Sequence, residues 1–250
     1  MLVLDRVSFA YPRRQPVLAS VSFEVGPGEA VSLIGENGAG KSTLLSLLIG
    51  TAVPTAGSIS VFGRPPGTAQ VGMVWQKAYD SLYPWWDAMN NAALPLKLLG
   101  WTRRARRQRV EQLAAELNLD FPLSRMPYEL SGGELQKLCV VRALVADPSI
   151  LIMDEPFANL SLEATNDLMV HLQAAQAKRG LTLLIVSHSL EHSVFLSDTV
   201  IRLTPKPVTL TGEEKILVDC PYSRPRPLSW TLEPTFRRNI DRIRMGALNP

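Results

Sequence analysis

The pattern of apolar and polar positions sorts the chain into two kinds of strand and several helices. Residues 2–9 and 17–25 are expected as strands. In the second, Val21, Phe23 and Val25 alternate with Ser22 and Glu24, the period-two pattern of a half-buried strand. Val31-Ser32-Leu33-Ile34, Val71-Gly72-Met73-Val74 and the run from Leu181 to Val186 read as short buried strands, and Ser58 to Gly63 as a further strand and turn. Ile150-Leu151-Ile152-Met153 is apolar throughout, the habit of a strand covered on both faces in a parallel sheet. Helices are expected through Leu44, Leu45, Leu47, Leu48 and Ile49, over Leu94–Leu99, and over 102–118, where Val110, Leu113, Ala114 and Leu117 recur at helical spacing. Two more are expected through Leu138, Val141, Leu144 and Val145 and over Thr235–Met245. The pattern is α/β, with residues 77–135 a mostly helical insertion in a β-rich domain. From about 205 the chain turns to Pro and Arg (Pro205, Pro207, Pro221, Pro225, Pro227) and is expected to wrap the domain as a tail.

Composition narrows this little. A hydrophobic content of 46% against 20% charged residues lets 250 residues bury a core without disulfide staples. A net charge of +3 is too mild to argue for nucleic acid. The two cysteines, Cys139 and Cys220, have no metal-ligand spacing and suit a reducing compartment. The N-terminus has no basic-then-apolar leader pattern, and no apolar run approaches the ~20 residues that span a bilayer. The chain is expected to be soluble and to reach any membrane through a partner.

The chemistry concentrates at strand ends. Gly35-Glu36-Asn37-Gly38-Ala39-Gly40-Lys41-Ser42-Thr43 fits the phosphate-cradling pattern of four arbitrary residues between glycines, then Gly-Lys-Ser. It lies between a buried strand and an apolar helix. A helix N-terminus offers unpaired amides and the positive end of a dipole to an anion. Gly35, Gly38 and Gly40 let the backbone approach phosphate oxygens, Lys41 reaches the outer phosphates, and Ser42 can ligate Mg²⁺. Asp154 and Glu155 end the Ile150 strand at the edge where parallel sheets bind ligands; Asp154 suits Mg²⁺ and Glu155 a base orienting water. Gln76 and His188 end two other strands. Gln76 could meet Mg²⁺ or the attacking water, and His188 the outer phosphate; read alone, each is an ordinary surface amide or a structural histidine. Ser131-Gly132-Gly133 opens a helix, which is either a common entry turn or a second anion site that serves another copy's nucleotide. Tyr11 either stacks on an adenine or packs on its own sheet. Trp85 and Trp86 cap a local core or form a contact patch, and the arginine run from Arg103 to Arg109 reads as a solvated helix face, with anionic lipid headgroups a secondary option.

Together these motifs, in order and spacing, resemble the ATP-binding cassette (ABC) ATPases over nearly the whole chain. The resemblance makes Gly35–Thr43 the Walker A motif, Gln76 the Q-loop, Leu130–Gln136 the signature motif, Ile150–Glu155 Walker B with its catalytic glutamate, His188 the switch histidine and Tyr11 the adenine-stacking aromatic. It implies a P-loop core with a mostly parallel sheet, an antiparallel N-terminal β portion and a helical subdomain, arranged as an ATPase domain over 1–215 and a tail over 216–250. It also implies ATP and Mg²⁺, a second ATPase chain completing each site, a transmembrane permease, a solute-binding protein, no nucleic-acid partner, and a place at the cytoplasmic face of the membrane. Two positions depart from the pattern: Glu134 stands where many members have Gln, and Ser161 where the family usually has an Asp that links the two sites. The stretches Met73–Gln76, Ser81–Trp85, Asn91–Leu96 and His188–Asp198 are similar to importer ATPases of the nitrate, sulfonate and taurine type. A soluble ABC protein working on ribosomes or DNA is disfavoured, because the chain has neither a second cassette nor a long coiled-coil insertion. A cassette acting mainly as a dimerisation switch rests on Ser161 alone.

Overall fold

The computed structural model describes residues 1–13, 15–36, 38–203, 207–210 and 215–245. The first half of the chain holds β1 Leu2–Ala10, β2 Pro16–Val25, β3 Ala30–Ile34, α1 Lys41–Leu48, β4 Ala56–Val61, β5 Val71–Val74, α2 Ala88–Leu98 and α3 Arg103–Glu116. The second half holds α4 Gly132–Leu144, β6 Ile150–Asp154, α5 Leu162–Arg179, β7 Thr182–Ser187, α6 Leu190–Leu196, β8 Thr199–Arg202, β9 Val208–Leu210, β10 Lys215–Leu217 and α7 Pro234–Met245. Contacts divide the chain into two compact units.

The first unit takes Met1–Ala69, Thr182–Ser223 and the chain from Ser229 on. It contains the expected antiparallel portion, with strand order β4-β1-β2 and β9 added parallel to β2. The β1–β2 register slips where Arg6 and Ser20 take positive φ. Hydroxyls take up the amides at those two residues: Arg6 N donates to Ser22 Oγ at 2.8 Å and Ser20 N to Ser8 Oγ at 2.9 Å. Only glycine fits at 57, where φ is 81° and a Cβ would lie 2.3 Å from the Arg6 carbonyl oxygen.

In the same unit, β3 lies between β7 and β8, parallel to both, and β10 pairs antiparallel with β8. All five residues of β3 are buried, as its apolar run requires. Its one polar side chain, Ser32, is satisfied by Ser197 at 2.6 Å. The tail residues that follow β10 are anchored here. Trp230 is fully buried between Phe236, at 4.9 Å, and Phe195, at 6.4 Å, and Asn239 clasps the backbone of Asp219 in both directions.

The second unit takes Gln70–Leu181 and Arg224–Leu228. It pairs β5 with β6 in parallel, packs α4 on β5, and sets α2, α3 and α5 against α4. The helix expected at Leu94 begins earlier, at Ala88, capped by Asp87, whose carboxylate accepts from Asn90 N at 2.7 Å. Residues 88–93 carry no strong apolar period, and Pro95 lies inside the helix, so the pattern under-reported it. Buried Asn91 organises the loop ahead: its Oδ1 accepts from Tyr83 N, and its Nδ2 donates to the carbonyls of Tyr83, Trp86 and Asp87. The arginine run is only partly a solvated face: Arg103, Arg104 and Arg107 are exposed, with Arg107 on Glu111 at 2.8 Å, whereas Arg106 is half-buried and Arg109 turns inward to Asp147 at 3.2 Å.

Candidate nucleotide site

In the first unit the phosphate loop sits at the C-terminal edge of β3. The register that pairs Ile34 with Ser187 puts Gly35 and His188 next along two parallel strands, so the loop and the candidate switch histidine share one edge. Gly40 is the N-cap of α1 with φ 82°, no acid stands in the first turn, and among the described residues no side chain caps this helix. Among those residues its leading amides meet no side-chain competitor, the state an anion site needs. A Cβ at Gly40 would come within 3.1 Å of Val17. Lys41 Nζ folds back on the loop, donating to the Gly35 carbonyl at 2.6 Å and the Glu36 carbonyl at 3.2 Å. Among the described residues no carboxylate pairs with it. Ser42 is exposed on the first turn. Tyr11 is exposed beside α1, its ring edge-on to Phe9 at 4.9 Å and its hydroxyl 3.2 Å from Thr43 Oγ1. Asn37 lies outside the described residues, as does Pro205 of the tail.

In the second unit the parallel pair β5–β6 brings Gln76 and the carboxylates to one edge. Val74 pairs with Met153, so Trp75 and Gln76 run level with Asp154 and Glu155. Gln76 and Asp154 line a cleft of about 490 Å³ with Trp75, Lys77, Asp80, Ser81 and Arg142. Glu155 holds φ 44°, a conformation disfavoured for any side chain but Gly, and such strain gathers at functional positions.

The signature turn is built on its own helix. Ser131 caps α4, accepting from Glu134 N at 3.3 Å, while Glu134 Oε2 returns to Ser131 N at 2.7 Å. Glu134, the departure from the family pattern, thus completes a capping box. Gly132 and Gly133 follow, and a Cβ on Gly133 would press on Ala164 at 3.1 Å. Ser161, the other departure, caps α5 through a bond from Ala164 N at 3.2 Å.

A triphosphate fits the α1 terminus and its lysine, whose ammonium meets only loop carbonyls among the described residues. For Mg²⁺ the fit is of another kind. Among the described residues no cluster of three His, Cys, Asp or Glu side chains could hold a metal by itself. Ser42 in the first unit, and Gln76 and Asp154 in the second, each carry a hard oxygen of the type Mg²⁺ takes. Sequence reasoning missed Arg142 and Ser81, which line the Gln76 cleft; Arg142 stands among apolar helix positions and gives no periodic signal.

Glycine loop, strand-end acids and signature turn define an ATP-binding cassette. The family model described as ABC transporter matches residues 18–158, and the chain belongs to that family as an ATPase subunit of ATP-driven transport. It is 36% identical over 210 residues to the taurine import ATP-binding protein TauB of Pseudomonas fluorescens, covering 83% of this chain and 79% of that one. It is 33% identical over 233 residues to the glucose import ATP-binding protein GlcV of Saccharolobus solfataricus, covering 89% of this chain and 65% of that one. The fold matches MJ0796, solved as a dimer in a post-hydrolysis state bound to ADP and Pi, with TM-score 0.75 at 23% identity, covering 88% of this chain and 100% of that one. It also matches cbiO1 of Clostridium perfringens, with TM-score 0.76 at 22% identity, covering 84% and 86%.

Proposed function

We propose that the chain hydrolyses ATP within a pair of ATPase chains and so drives import of a small anion through a membrane permease. The observation that carries the reading is the N-terminus of α1, left uncapped among the described residues, with Lys41 beside it and no carboxylate among those residues to neutralise it. Lys41 and the loop amides grip the phosphates, and Ser42, Gln76 and Asp154 hold Mg²⁺, which when bound neutralises phosphate charge. Glu155 orients the attacking water, His188 holds the outer phosphate, and Tyr11 stacks on the base. Ser131 and Gly133 of the second chain close over the same nucleotide. Binding energy realised only in the closed pair shifts the population toward it, and hydrolysis releases it. Among the described residues no helix is long and apolar enough to cross a membrane; the permease partner rests on the likeness to import ATP-binding subunits. The exposed aromatics Tyr83 and Trp85 offer the contact surface, on the cytoplasmic side. Import of an anion, with a solute-binding protein delivering it, rests on the likeness to a taurine importer subunit.

The test is Glu155→Gln in the purified chain. ATP should still bind and gather the closed pair, seen by light scattering, while phosphate release falls by about a hundredfold or more. Near-normal release would refute the role of Glu155.

A further inference from the structure

Within the second unit, the chain between α2 and α3 turns on Gly100, at φ 78°. The turn is held by its backbone. Gly100 N donates to the Lys97 carbonyl at 3.1 Å and Trp101 N to the Leu96 carbonyl at 3.0 Å, the paired bonds that close a helix on glycine. Thr102 then caps α3, its hydroxyl accepting from Ala105 N at 3.3 Å. Both helix ends are thus complete, yet the apolar side chains between them are left out. Leu98 is 79% exposed, Leu99 56% and Trp101 44%. Among the described residues nothing lies within 4 Å of the place a Cβ on Gly100 would take, so the tip projects. Single exposed leucines are ordinary, but these large apolar side chains stand side by side and make a patch.

Cations surround this tip. Lys97, Arg103, Arg104 and Arg107 are exposed, and Arg106 is half-buried. Arg107 meets Glu111; among the described residues no carboxylate pairs with any of the others. Beside the tip a cavity of about 550 Å³ is lined by Trp86, Lys97, Arg103, Arg106, Arg107 and Glu111. Lys97 Nζ stands 5.2 Å from the centre of the Trp86 ring, which holds the ammonium on the cavity wall. The other acid at this cavity, Asp87, is engaged in capping α2. The cations are spread over two helices rather than gathered at one point, which suits a partner charged over a surface. Leucines and a tryptophan at the tip, with unneutralised Lys and Arg just behind, match the layers of an anionic bilayer: acyl boundary, interface, phosphate.

We propose that residues 98–101 and the cations about them form a contact for an anionic lipid surface. Leu98, Leu99 and Trp101 enter the interface, and Lys97, Arg103, Arg104 and Arg106 take up lipid phosphates, with the cavity open to a headgroup. This goes beyond the ATPase reading and stands apart from it, since it gives the chain a hold on the membrane that needs neither nucleotide nor permease.

The experiment uses the purified full chain with vesicles of phosphatidylcholine alone and of phosphatidylcholine mixed with phosphatidylglycerol, scored by co-sedimentation. The wild type should partition onto the anionic vesicles about tenfold or more better than onto the neutral ones, since each cation near such a surface contributes about fivefold, and high salt should remove the preference. Arg103→Gln/Arg104→Gln should lose about tenfold or more on the anionic vesicles, and Leu98→Ser/Trp101→Ser a similar amount through lost insertion. Brominated acyl chains should quench part of the wild-type tryptophan emission, and Trp101→Phe should abolish that quenching. Every variant should keep the wild-type melting temperature and ATPase rate in solution, because the altered side chains are exposed. Equal partition onto both kinds of vesicle, wild-type partition in either double variant, a partition loss matched by a loss of melting temperature, or quenching that survives Trp101→Phe would overturn the proposal. So would inorganic phosphate binding in calorimetry by a chain that ignores the vesicles, which would make the cavity a free-anion site. A chain that ignores the vesicles but loses the permease in the tip variants would make the tip a protein contact and overturn it too. A chain that binds vesicles as described without hydrolysing ATP would sink the ATPase reading alone.

Discussion

Two helices of this molecule open on glycine-rich turns, yet their first turns are finished in opposite ways. At α1 the cap is Gly40 in the left-handed region, no side chain serves the leading amides, and Lys41 rests on loop carbonyls. At α4 Ser131 and Glu134 satisfy each other's amides, and Arg125 steadies Glu134 at 3.4 Å. One terminus is incomplete without a polyanion, and the other is complete alone. On the function proposed above, the difference separates a site that binds within its own chain from a preformed turn suited to meet a phosphate held elsewhere. A similar contrast separates cations of the two units. Lys41 has no carboxylate among the described residues, whereas in the second unit Glu116 is matched to Lys178 at 2.9 Å and to Arg179, with Arg179 also on Asp147 at 3.1 Å.

The largest expected effect falls on the incomplete terminus. Lys41→Ala should weaken ATP binding by about a hundredfold, since a charge-assisted contact to phosphate contributes roughly 1.5–3 kcal/mol. The nucleotide-free melting temperature should barely move. Unchanged affinity in calorimetry would break the comparison. Next comes Glu116. Burial alone would raise its pKa, but hydrogen bonds from Lys178 and Arg179 outweigh that and hold it at about 2, below the ordinary 4.5. A folded-state value below the unfolded one gives stability that is full above about pH 4.5 and drains as pH falls toward 2. With the exposed Lys178 arm discounted, this amounts to about 2 kcal/mol. Glu116→Gln should remove a similar amount at neutral pH and flatten the acid limb of the unfolding curve; an unaltered limb would show the matched cluster to be idle. Ser131→Ala should be smaller, about 1 kcal/mol from a lost cap, with single-chain ATP affinity unchanged. A drop in that affinity would mean the two termini are not independent. The smallest effect on folding is expected from Trp85→Ala, because the side chain is 67% exposed. Its melting curve should overlay the parent's while ATPase uncouples from transport; a clear loss of melting temperature would favour a core role.

The strands and the phosphate loop were legible because period and turn chemistry are local. Val21, Phe23 and Val25 face inward as their alternation implied, and β3, β6 and β7 end at the residues the apolar runs implied. The family assignment was legible for the same reason, since its motifs are short and ordered. What stayed hidden depends on partners far along the chain. Arg142 donates to both the carbonyl and the hydroxyl of Ser81, 61 positions away, and nothing in either neighbourhood marks it. The start of α2 hides behind Pro95 and a weak period, and the side chain that organises the loop before it, Asn91, resembles any polar helix residue. The departures at Glu134, a mild change of type, and at Ser161, a missing Asp, both take part in helix caps, because a side chain's local bonds are invisible in a motif comparison.

The burial of Trp230 against Phe195 has a consequence at some distance from the tail. Phe195 lies on α6, the short helix directly after His188. The indole therefore acts as a doorstop behind the histidine's own support. A premature stop codon ahead of it would cripple hydrolysis while leaving the glycine loop whole, and the lesion would be mistaken for damage to the catalytic edge.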